Sequence, residues 1–276
     1  RGPLYRFGSI RFDGNEKLKD DLIKKNLKIE EKDIYSPEKL QQTSQAIKDI
    51  YGRKGYIEAQ VDYEIFLEEK DPIFHVNFFI NEGSLYKVGL IRVIGNTRTK
   101  SNVLLRESNL IPGETFDCRR LKSTQDKLRN IGYFKNVNVY AVASPDEDVD
   151  AQYRDVYIEV EETPTGSLNV FSGFSSSDNI FGGIEITEKN FNLAGVPQVF
   201  SKGPGILRGG GEYFHTRISF GAKRTNYLIS WMNPYVNDSL WRLGFELVRT
   251  TSDLTSQEYS TDTAGFSLFA SYPIIG

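Results

Sequence analysis

The chain has 276 residues, enough for about two domains at the usual size of roughly 100 to 200 residues each. Its formal net charge of −3 leaves no surplus of Lys and Arg for a general nucleic-acid binder. The single Cys118 excludes an internal disulfide framework and a multi-cysteine zinc site, and no apolar run of about 18 residues predicts a transmembrane helix.

One short sequence occurs twice in the first half of the chain. "IRFDGN", which ends at Asn15, returns as "IRVIGN", which ends at Asn96. Both read as the end of a strand followed by a turn, with Gly14 or Gly95 permitting the turn and the asparagine predicted to cap a helix. The spacing between them fits a small complete domain, so the sequence predicts two copies of one unit.

In copy one, a first strand is predicted to lead into a short helix with Leu18, Leu22 and Ile23 facing inward. A second helix starts with Ser36 as N-cap and Pro37 at its first position, and it ends at Gly55, which supplies a left-handed cap. Two strands follow, one of them with strict alternation of apolar and polar residues. These strands are predicted over Ala59–Ile65 and Ile73–Ile80.

Copy two repeats this order. Its first helix buries Val103 and Leu104, its second starts near Asp117 and ends at Gly132, and its closing strands cover Val137–Val142 and Val156–Glu162. Each copy is therefore an α+β unit in the order β-α-α-β-β, predicted to form a three-stranded mixed sheet with two helices on one face.

The composition changes near Gly166. The chain contains 34 Lys and Arg and 37 Asp and Glu, but only 17 of these charged residues lie in 167–276. The same range contains 13 of the 24 glycines. Alternating apolar and polar residues in segments of about 10 are typical of an outer-membrane β-barrel, although a soluble β-sandwich gives the same alternation. Six strands are predicted near Leu168–Phe174, Ile180–Thr187, Tyr213–Ala222, Tyr227–Met232, Leu240–Thr250 and Ala264–Tyr272.

Several longer motifs resemble one known family. "IRVIGNTRT", "NIGYFKNVNV" and "VYIEVEE" in copy two, the junction "VEETPTGSLNVFSGFSS", and the strand ends "EITEKNFNLAG" and "ISWMNPYV" occur in its order. The chain resembles BamA-type outer-membrane protein assembly factors, in which POTRA domains precede a β-barrel. The resemblance implies a penultimate POTRA domain at 1–83, the last POTRA domain at 84–163, and the truncated start of a transmembrane barrel, all-β and antiparallel, at 164–276.

The resemblance also implies a function without cofactor, metal or covalent chemistry. Such a protein folds and inserts β-barrel proteins in the bacterial outer membrane, with its POTRA domains in the periplasm. Its expected partners are nascent outer-membrane β-barrel proteins, lipoproteins of the BAM type, periplasmic chaperones and membrane lipid. An incoming strand would dock on the first barrel strand, formed by Leu168, Asn169, Val170, Phe171, Ser172, Gly173 and Phe174. Gly173 is predicted to pack against no other residue, so this strand is expected to be weakly held.

Two further groups of residues are expected to matter. The POTRA edge strands, which could accept extended peptides, contain Ala59, Val61, Tyr63, Val137 and Val139. Trp231, Tyr235 and Trp241 are predicted to lie at the membrane interface, where amphipathic rings are favoured; packing in a core is the alternative.

Two departures and three alternatives stay open. The segment between Phe191 and Tyr213 is longer than the short turn that the pattern predicts, and the family's Arg-Gly-Phe/Tyr motif would lie after Gly276. Six strands cannot close a membrane barrel, which needs about eight, so the chain is expected to be a fragment. A secretion channel of the same superfamily, a membrane anchor for a fused enzyme, and a soluble adaptor ending in a β-sandwich are the alternative functions.

Four features resemble chemical sites more weakly. "GPGILRGGG" (203–211) lacks the strand, helix and Lys-Ser/Thr of a phosphate-binding loop and is predicted to be a flexible loop. Cys118, at a helix start where a thiol pKa can be lowered, is predicted to be incidental. His215 is expected on a polar strand face, and the acidic "PDEDVD" (145–150) is expected to be a solvated loop rather than a calcium site.

Overall fold

The computed structural model describes residues 4–144, 152–175, 179–254 and 259–274. The chain forms two compact units. The first comprises Arg1–Arg92, Ser108–Gln125 and Val139–Ile158, and the second comprises Val93–Glu107, Asp126–Asn138 and Glu159–Gly276. Among the described residues, no helix combines the length and the apolar character needed to cross a membrane.

Copy one contains three strands and two helices in the predicted order. They are β1 (Arg6–Asp13), α1 (Asp20–Lys24), α2 (Pro37–Arg53), β2 (Gln60–Leu67) and β3 (Ile73–Asn81). The central β3 pairs with β1 in parallel and with β2 in antiparallel, which confirms the mixed sheet. Its core residues come from both helices and all three strands, and the largest of them include Phe7, Ile23, Leu40, Tyr51 and Phe78.

The limits of α2 follow from local chemistry. The Ser36 hydroxyl accepts the Lys39 backbone N–H at 3.4 Å, Pro37 occupies the first turn, and Gly55 beyond the helix has φ +96°. These three predictions are confirmed. Ser36 pairs a free N–H of the first turn, Pro37 needs no N–H partner there, and Gly55 adopts the left-handed backbone after the helix. All three requirements are local to the helix ends.

The short helix α1 differs from the prediction. Leu18 and Ile23 are buried, but Leu22 is 39% exposed, because α1 has only five residues and its buried side is correspondingly narrow. Asn15 is not the N-cap either. That position is Lys19, and the Asn15 amide instead donates to the carbonyl of Leu18 at 3.0 Å and to Asp20 at 2.7 Å.

Copy two repeats this architecture. It contains β4 (Lys87–Ile94), α3 (Ser101–Leu105), α4 (Cys118–Asn130), β5 (Phe134–Ala143) and β6 (Tyr153–Glu162), with strand order β4-β6-β5. The Asn96 amide donates to the carbonyl of Thr99 at 2.9 Å and to Ser101 at 3.0 Å, so this asparagine too braces the turn instead of capping the helix. Val103 and Leu104 are buried, as predicted.

The remaining strands form one antiparallel sheet in chain order. They are β7 (Gly166–Ser175), β8 (Asn179–Phe191), β9 (Glu212–Gly221), β10 (Arg224–Asn233), β11 (Arg242–Leu254) and β12 (Tyr259–Ser271). Residues directly opposite one another lie on the same face. One face is mainly apolar, as in the row Leu168, Ile186, Thr216, Ile229, Leu247 and Phe266. The other is largely polar, as in the row Ser167, Thr187, His215, Ser230, Glu246 and Ser267.

The glycine at the repeated turn is tested by replacing it. Gly14 has φ +86°, and a Cβ there would collide with the carbonyl oxygen of Ile80. Gly14→Ala is therefore expected to lower the free energy of unfolding by about 2–4 kcal/mol, the sum of backbone strain and steric overlap. Thermal unfolding of the two proteins measures the change.

Gly113→Ala is the matched control. Gly113 has φ +87°, but a Cβ there would meet no atom within 4 Å. Only the backbone strain of about 1–2 kcal/mol should remain. If both variants lose the same stability, the contact with Ile80 is not what requires glycine at this turn.

Candidate functional site

The first strand of the six-stranded sheet offers an open edge. β7 lies at the end of the strand order and pairs with β8 only, so its other edge has no neighbouring strand among the described residues. Leu168, Val170 and Phe174, on the apolar face, are 67%, 77% and 76% exposed. All seven residues predicted for docking lie in this strand. With respect to the described residues, β7 therefore presents unpaired backbone groups beside exposed apolar side chains.

The opposite face of β7 is partly packed, at Phe171 and Gly173. The Phe171 ring lies under the Arg217 guanidinium, at 4.5 Å from its centroid, and Gly183 leaves room for that ring. Gly173 was predicted to pack nothing, and this prediction is wrong, because a Cβ there would meet the ring of Phe181 at 2.7 Å. The strand thus packs on its polar face through Phe171 and Gly173 and pairs with β8, while no other described strand covers its outer edge.

A buried carboxylate fixes the point where β7 begins. Glu188, on β8 opposite Gly166, accepts the Thr165 hydroxyl and the backbone N–H of Asn190 at 3.0 Å, and it pairs with the Arg208 guanidinium at 2.8 Å. Its exposure is only 7%. A buried carboxylate is stable when its oxygens are paired and hydrogen-bonded, as they are here.

Glu162 holds the repeated turn of copy two. Its carboxylate accepts the Thr97 hydroxyl at 2.7 Å and the backbone N–H groups of Arg98 and Thr99 at 3.1 and 2.7 Å. Burial alone would raise the pKa of Glu162, but these hydrogen bonds outweigh it and lower the pKa below its ordinary value. The carboxylate therefore satisfies hydrogen-bond donors of the turn that precedes α3.

Copy one has the same device. Glu82 follows β3 and accepts the Lys17 backbone N–H at 2.8 Å and the buried Tyr51 hydroxyl at 2.8 Å. Neither glutamate was predicted from the sequence. A signal was present, because each stands two residues after the last buried residue of its strand, Ile80 or Val160.

Asn190 joins copy two to the segment that follows β8. It is 3% exposed, donates to the Thr99 hydroxyl at 2.9 Å and accepts the backbone N–H of Gly211 at 2.8 Å. Nearby, the Lys100 ammonium donates to the side-chain oxygen of Asn192 at 2.9 Å, and its backbone N–H donates to Gly209 at 3.0 Å. The turn before α3 and the segment 192–211 are thus bound through both side chains and backbone.

A cavity of about 290 Å³ lies within this network. Its walls include Glu162 and Arg208, whose charged groups are engaged in the contacts above, and Arg98, whose backbone N–H donates to Glu162. Tyr133 also lines it, and burial raises the pKa of that phenol to about 12. No group of three or more His, Cys, Asp or Glu in the described part of the chain is placed to hold a metal ion.

The predicted POTRA edge strands are outer strands of their sheets. β2 is the last strand in the order β1-β3-β2, and β5 is the last in β4-β6-β5. Val61, Val137 and Val139 are buried, Tyr63 is 38% exposed, and Ala59 lies one residue before β2. These valines face the cores, so any docking there would use the backbone edge and not their side chains.

The three aromatic residues predicted at a membrane interface have different environments. Trp231 is 9% exposed and donates its indole N–H to Glu212 at 2.9 Å, whereas Trp241 is 51% exposed and lies 5.2 Å from the ring of Tyr272. Tyr235 is half-buried beneath the Arg106 guanidinium, at 4.6 Å. Their role at an interface stays a prediction.

The weaker candidate sites gain no chemistry from the structure. Burial raises the pKa of the Cys118 thiol, with the negative charges of Asp117 and Asp49 adding to the effect, so the lowered value considered for a helix start does not occur. His215 lies on the polar face, 3.0 Å from the Thr187 hydroxyl. The acidic run 145–150 lies outside the described residues.

Comparisons with known proteins match the domain types predicted from the sequence. Residues 5–83 and 86–163 each match POTRA, described as "Surface antigen variable number repeat", and residues 207–275 match the "Omp85 superfamily domain". The chain is 26% identical over 273 residues to the "Outer membrane protein assembly factor BamA" of Nitratidesulfovibrio vulgaris, which covers 97% of this chain and 32% of that protein. For the protein of the same name from Neisseria meningitidis serogroup B the identity is 22% over 283 residues, with 99% and 33% covered.

A solved structure shows the same fold. The crystal structure of BamA from Haemophilus ducreyi lacking POTRA domains 1–3 superposes with a TM-score of 0.79 at 22% identity, covering 96% of this chain and 47% of that one. The chain spans about a third of the length of the two curated relatives, 32% and 33%.

The role of Glu162 predicts a pH-dependent stability. Its pKa is lower in the folded state than in the unfolded one, so its contribution is complete above the ordinary glutamate value of about 4.3 and is lost as the pH falls through the folded value. Glu162→Gln is expected to lower the free energy of unfolding by about 1–2 kcal/mol at pH 7. Thermal unfolding of both proteins between pH 7 and pH 3 should show this difference shrinking in acid.

Glu161→Gln is the control at the neighbouring position. Glu161 is exposed and pairs with Lys135 on the surface, where ion pairs contribute little. A pH-independent loss in the Glu162 variant, or an equal loss in the Glu161 variant, would contradict the role assigned to the Glu162 charge.

Proposed function

We propose a function from one premise: the chain belongs to the BamA/Omp85 family, with two POTRA domains and the start of the Omp85 barrel domain. The resemblance and the fold class predicted from the sequence are confirmed. The protein is an outer-membrane protein with its POTRA domains in the periplasm, and membership of this non-enzymatic family agrees with the prediction that it is not an enzyme.

The proposed activity is the folding and insertion of other β-barrel proteins in the outer membrane. β7 would act as the template, with the backbone groups of Leu168–Phe174 pairing with the edge of an incoming strand. The observation that carries this proposal is the open edge of β7, which adjoins the exposed side chains of Leu168, Val170 and Phe174.

The physical reason is the cost of an open strand edge in lipid. Each backbone group left unpaired in hydrocarbon costs several kcal/mol, and both β7 and an arriving strand have such groups. Pairing them removes the cost on both sides and needs no cofactor. The same pairing would continue the apolar face of the sheet, so that the new strand exposes its apolar residues where Leu168 and Val170 expose theirs.

The POTRA domains would supply a second docking surface. Strands β2 and β5 are outer strands, able to add an extended segment of a nascent barrel protein, a periplasmic chaperone or a BAM-type lipoprotein by strand pairing. From the family membership, we also propose the domain limits 1–83, 84–163 and 164–276. The membrane lipid around the apolar face completes the set of proposed partners.

Disulfide capture tests the template strand. In the intact protein with Cys118→Ser as background, Val170→Cys is expected to cross-link to a substrate barrel protein that carries one cysteine in a terminal strand. Residues on adjacent strands have Cβ atoms about 5 Å apart, which a disulfide can span. Oxidation during assembly, followed by gel electrophoresis, detects the product.

Ile184→Cys is the matched control. Ile184 lies opposite Val170 on the same face, but β8 is paired on both sides, with β7 and with β9. It should yield little or no product. Capture by Ile184→Cys at the level of Val170→Cys, or capture by neither, would exclude β7 as the template.

A further inference from the structure

The segment between β8 and β9 is a compact element. Residues 192–211 contain a 3-10 helix (Leu193–Gln198), the short helix α5 (Val199–Lys202) and a second 3-10 helix (Pro204–Leu207). Asn192 closes its base, because its backbone N–H donates to Leu207 and its side chain donates to Ile206, both at 2.8 Å. From the sequence, this connection is predicted to be longer than a turn, with a flexible loop at 203–211.

Three apolar side chains of this segment face outward. Leu193 and Val196 are 41% and 43% exposed, and Phe200 is 100% exposed. They are separated by three and four residues, the spacing that places side chains on one side of a helix. Ile206 and Leu207 of the same segment are half-buried. A compact element that holds a Phe ring wholly outside its own packing has a surface suited to an apolar environment.

The charge of the segment narrows the choice of environment. Between residues 192 and 211 there is no Asp or Glu, and the charged residues are Lys202 and Arg208. Arg208 is paired with Glu188, while Lys202 is exposed at the end of α5, two residues after Phe200. An apolar ring followed by an exposed cation matches a membrane surface that carries anionic phospholipid.

The position of the segment places it at one rim of the sheet. β8 ends and β9 begins at the end of the sheet where β7 starts, which is the end that follows the last POTRA domain and is therefore periplasmic. The side chain of Glu212 shares the apolar face with Trp231 and accepts the Leu193 backbone N–H at 2.7 Å. The segment thus leaves the sheet beside its apolar, lipid-facing surface.

We propose that the segment 192–211 is an anchor in the periplasmic leaflet of the outer membrane. Phe200 enters the boundary between head groups and acyl chains together with Leu193 and Val196, and the Lys202 ammonium lies against lipid phosphate. The anchor extends the apolar face of the sheet, and Asn190 and Lys100 transmit its position to the turn before α3. This inference rests on the membrane location of the protein and is independent of strand templating by β7.

Depth-dependent fluorescence quenching tests the anchor. The intact protein carrying Phe200→Trp is reconstituted in phosphatidylglycerol-containing vesicles, with and without brominated acyl chains, and the emission of the parent protein is subtracted. The added emission is expected to be blue-shifted and to fall in brominated lipid. Phe66→Trp is the control, since Phe66 is also a large exposed side chain, at 54%, but lies on β2 of the first POTRA domain. Its emission should not be quenched.

Three results would overturn the proposal. Emission at position 200 that is as insensitive to bromine as that at position 66 would place Phe200 in water. A blue-shifted emission that bromine leaves unquenched would show that protein covers Phe200. If Lys202→Ser leaves the quenching of Phe200→Trp unchanged in both anionic and zwitterionic vesicles, the assigned lipid charge is wrong; the expected result is weaker quenching in anionic vesicles alone.

Discussion

The backbone of a strand edge must be hydrogen-bonded, and this requirement organises the second half of the protein. Strands β8 to β11 satisfy it with a neighbour on each side, whereas within the described part of the chain β7 has β8 alone and β12 has β11 alone. The edge is not a loosely held end. Phe171 and Arg217 pack its polar face, and Glu188 fixes its first residue. An edge that is fixed in position and has no partner among the described strands is what a template for a second strand needs.

Carboxylates at the ends of strands set the geometry around this edge. Glu82 and Glu162 each follow the last buried residue of a POTRA domain and accept donors from the first turn of the same domain. In the second domain that turn also binds the segment after β8 through Thr99 and Asn190. Glu162 therefore stabilises the turn before α3 within its own domain. It thereby also positions the residues of this turn that contact Asn190 and the segment 192–211. Both copies thus have a glutamate that binds their first turn, and in copy two this turn also binds Asn190.

The sequence predicts those features whose causes lie within a few residues. Ser36, Pro37 and Gly55 mark the limits of α2 because helix ends have local needs, and alternation of side chains located all six strands of the sheet. The sequence does not predict contacts made by distant residues. The sequence pattern predicts Asn15 as a helix cap, because it does not show that the Asn15 amide binds Leu18 and Asp20 instead. The roles of Glu82, Glu162 and Asn190 depend on residues 21 to 91 positions away.

The same distinction explains the errors at the candidate site. Gly173 was expected to pack nothing, but the ring of Phe181 on the neighbouring strand fills the space beside it. Cys118 was considered for a lowered pKa from its place at a helix start, whereas burial raises that pKa. The conformation of 192–211 depends on hydrogen bonds to copy two and to β9, which periodicity does not record.

Hydrogen–deuterium exchange along β7 tests the central claim most directly. In the resting protein, the amides of Leu168–Phe174 that point away from β8 should exchange much faster than those that point toward it. During assembly of a barrel protein, these outward amides should become protected while those of β8 stay unchanged. Protection that appears elsewhere in the protein and never on the outward amides of β7 would contradict strand templating.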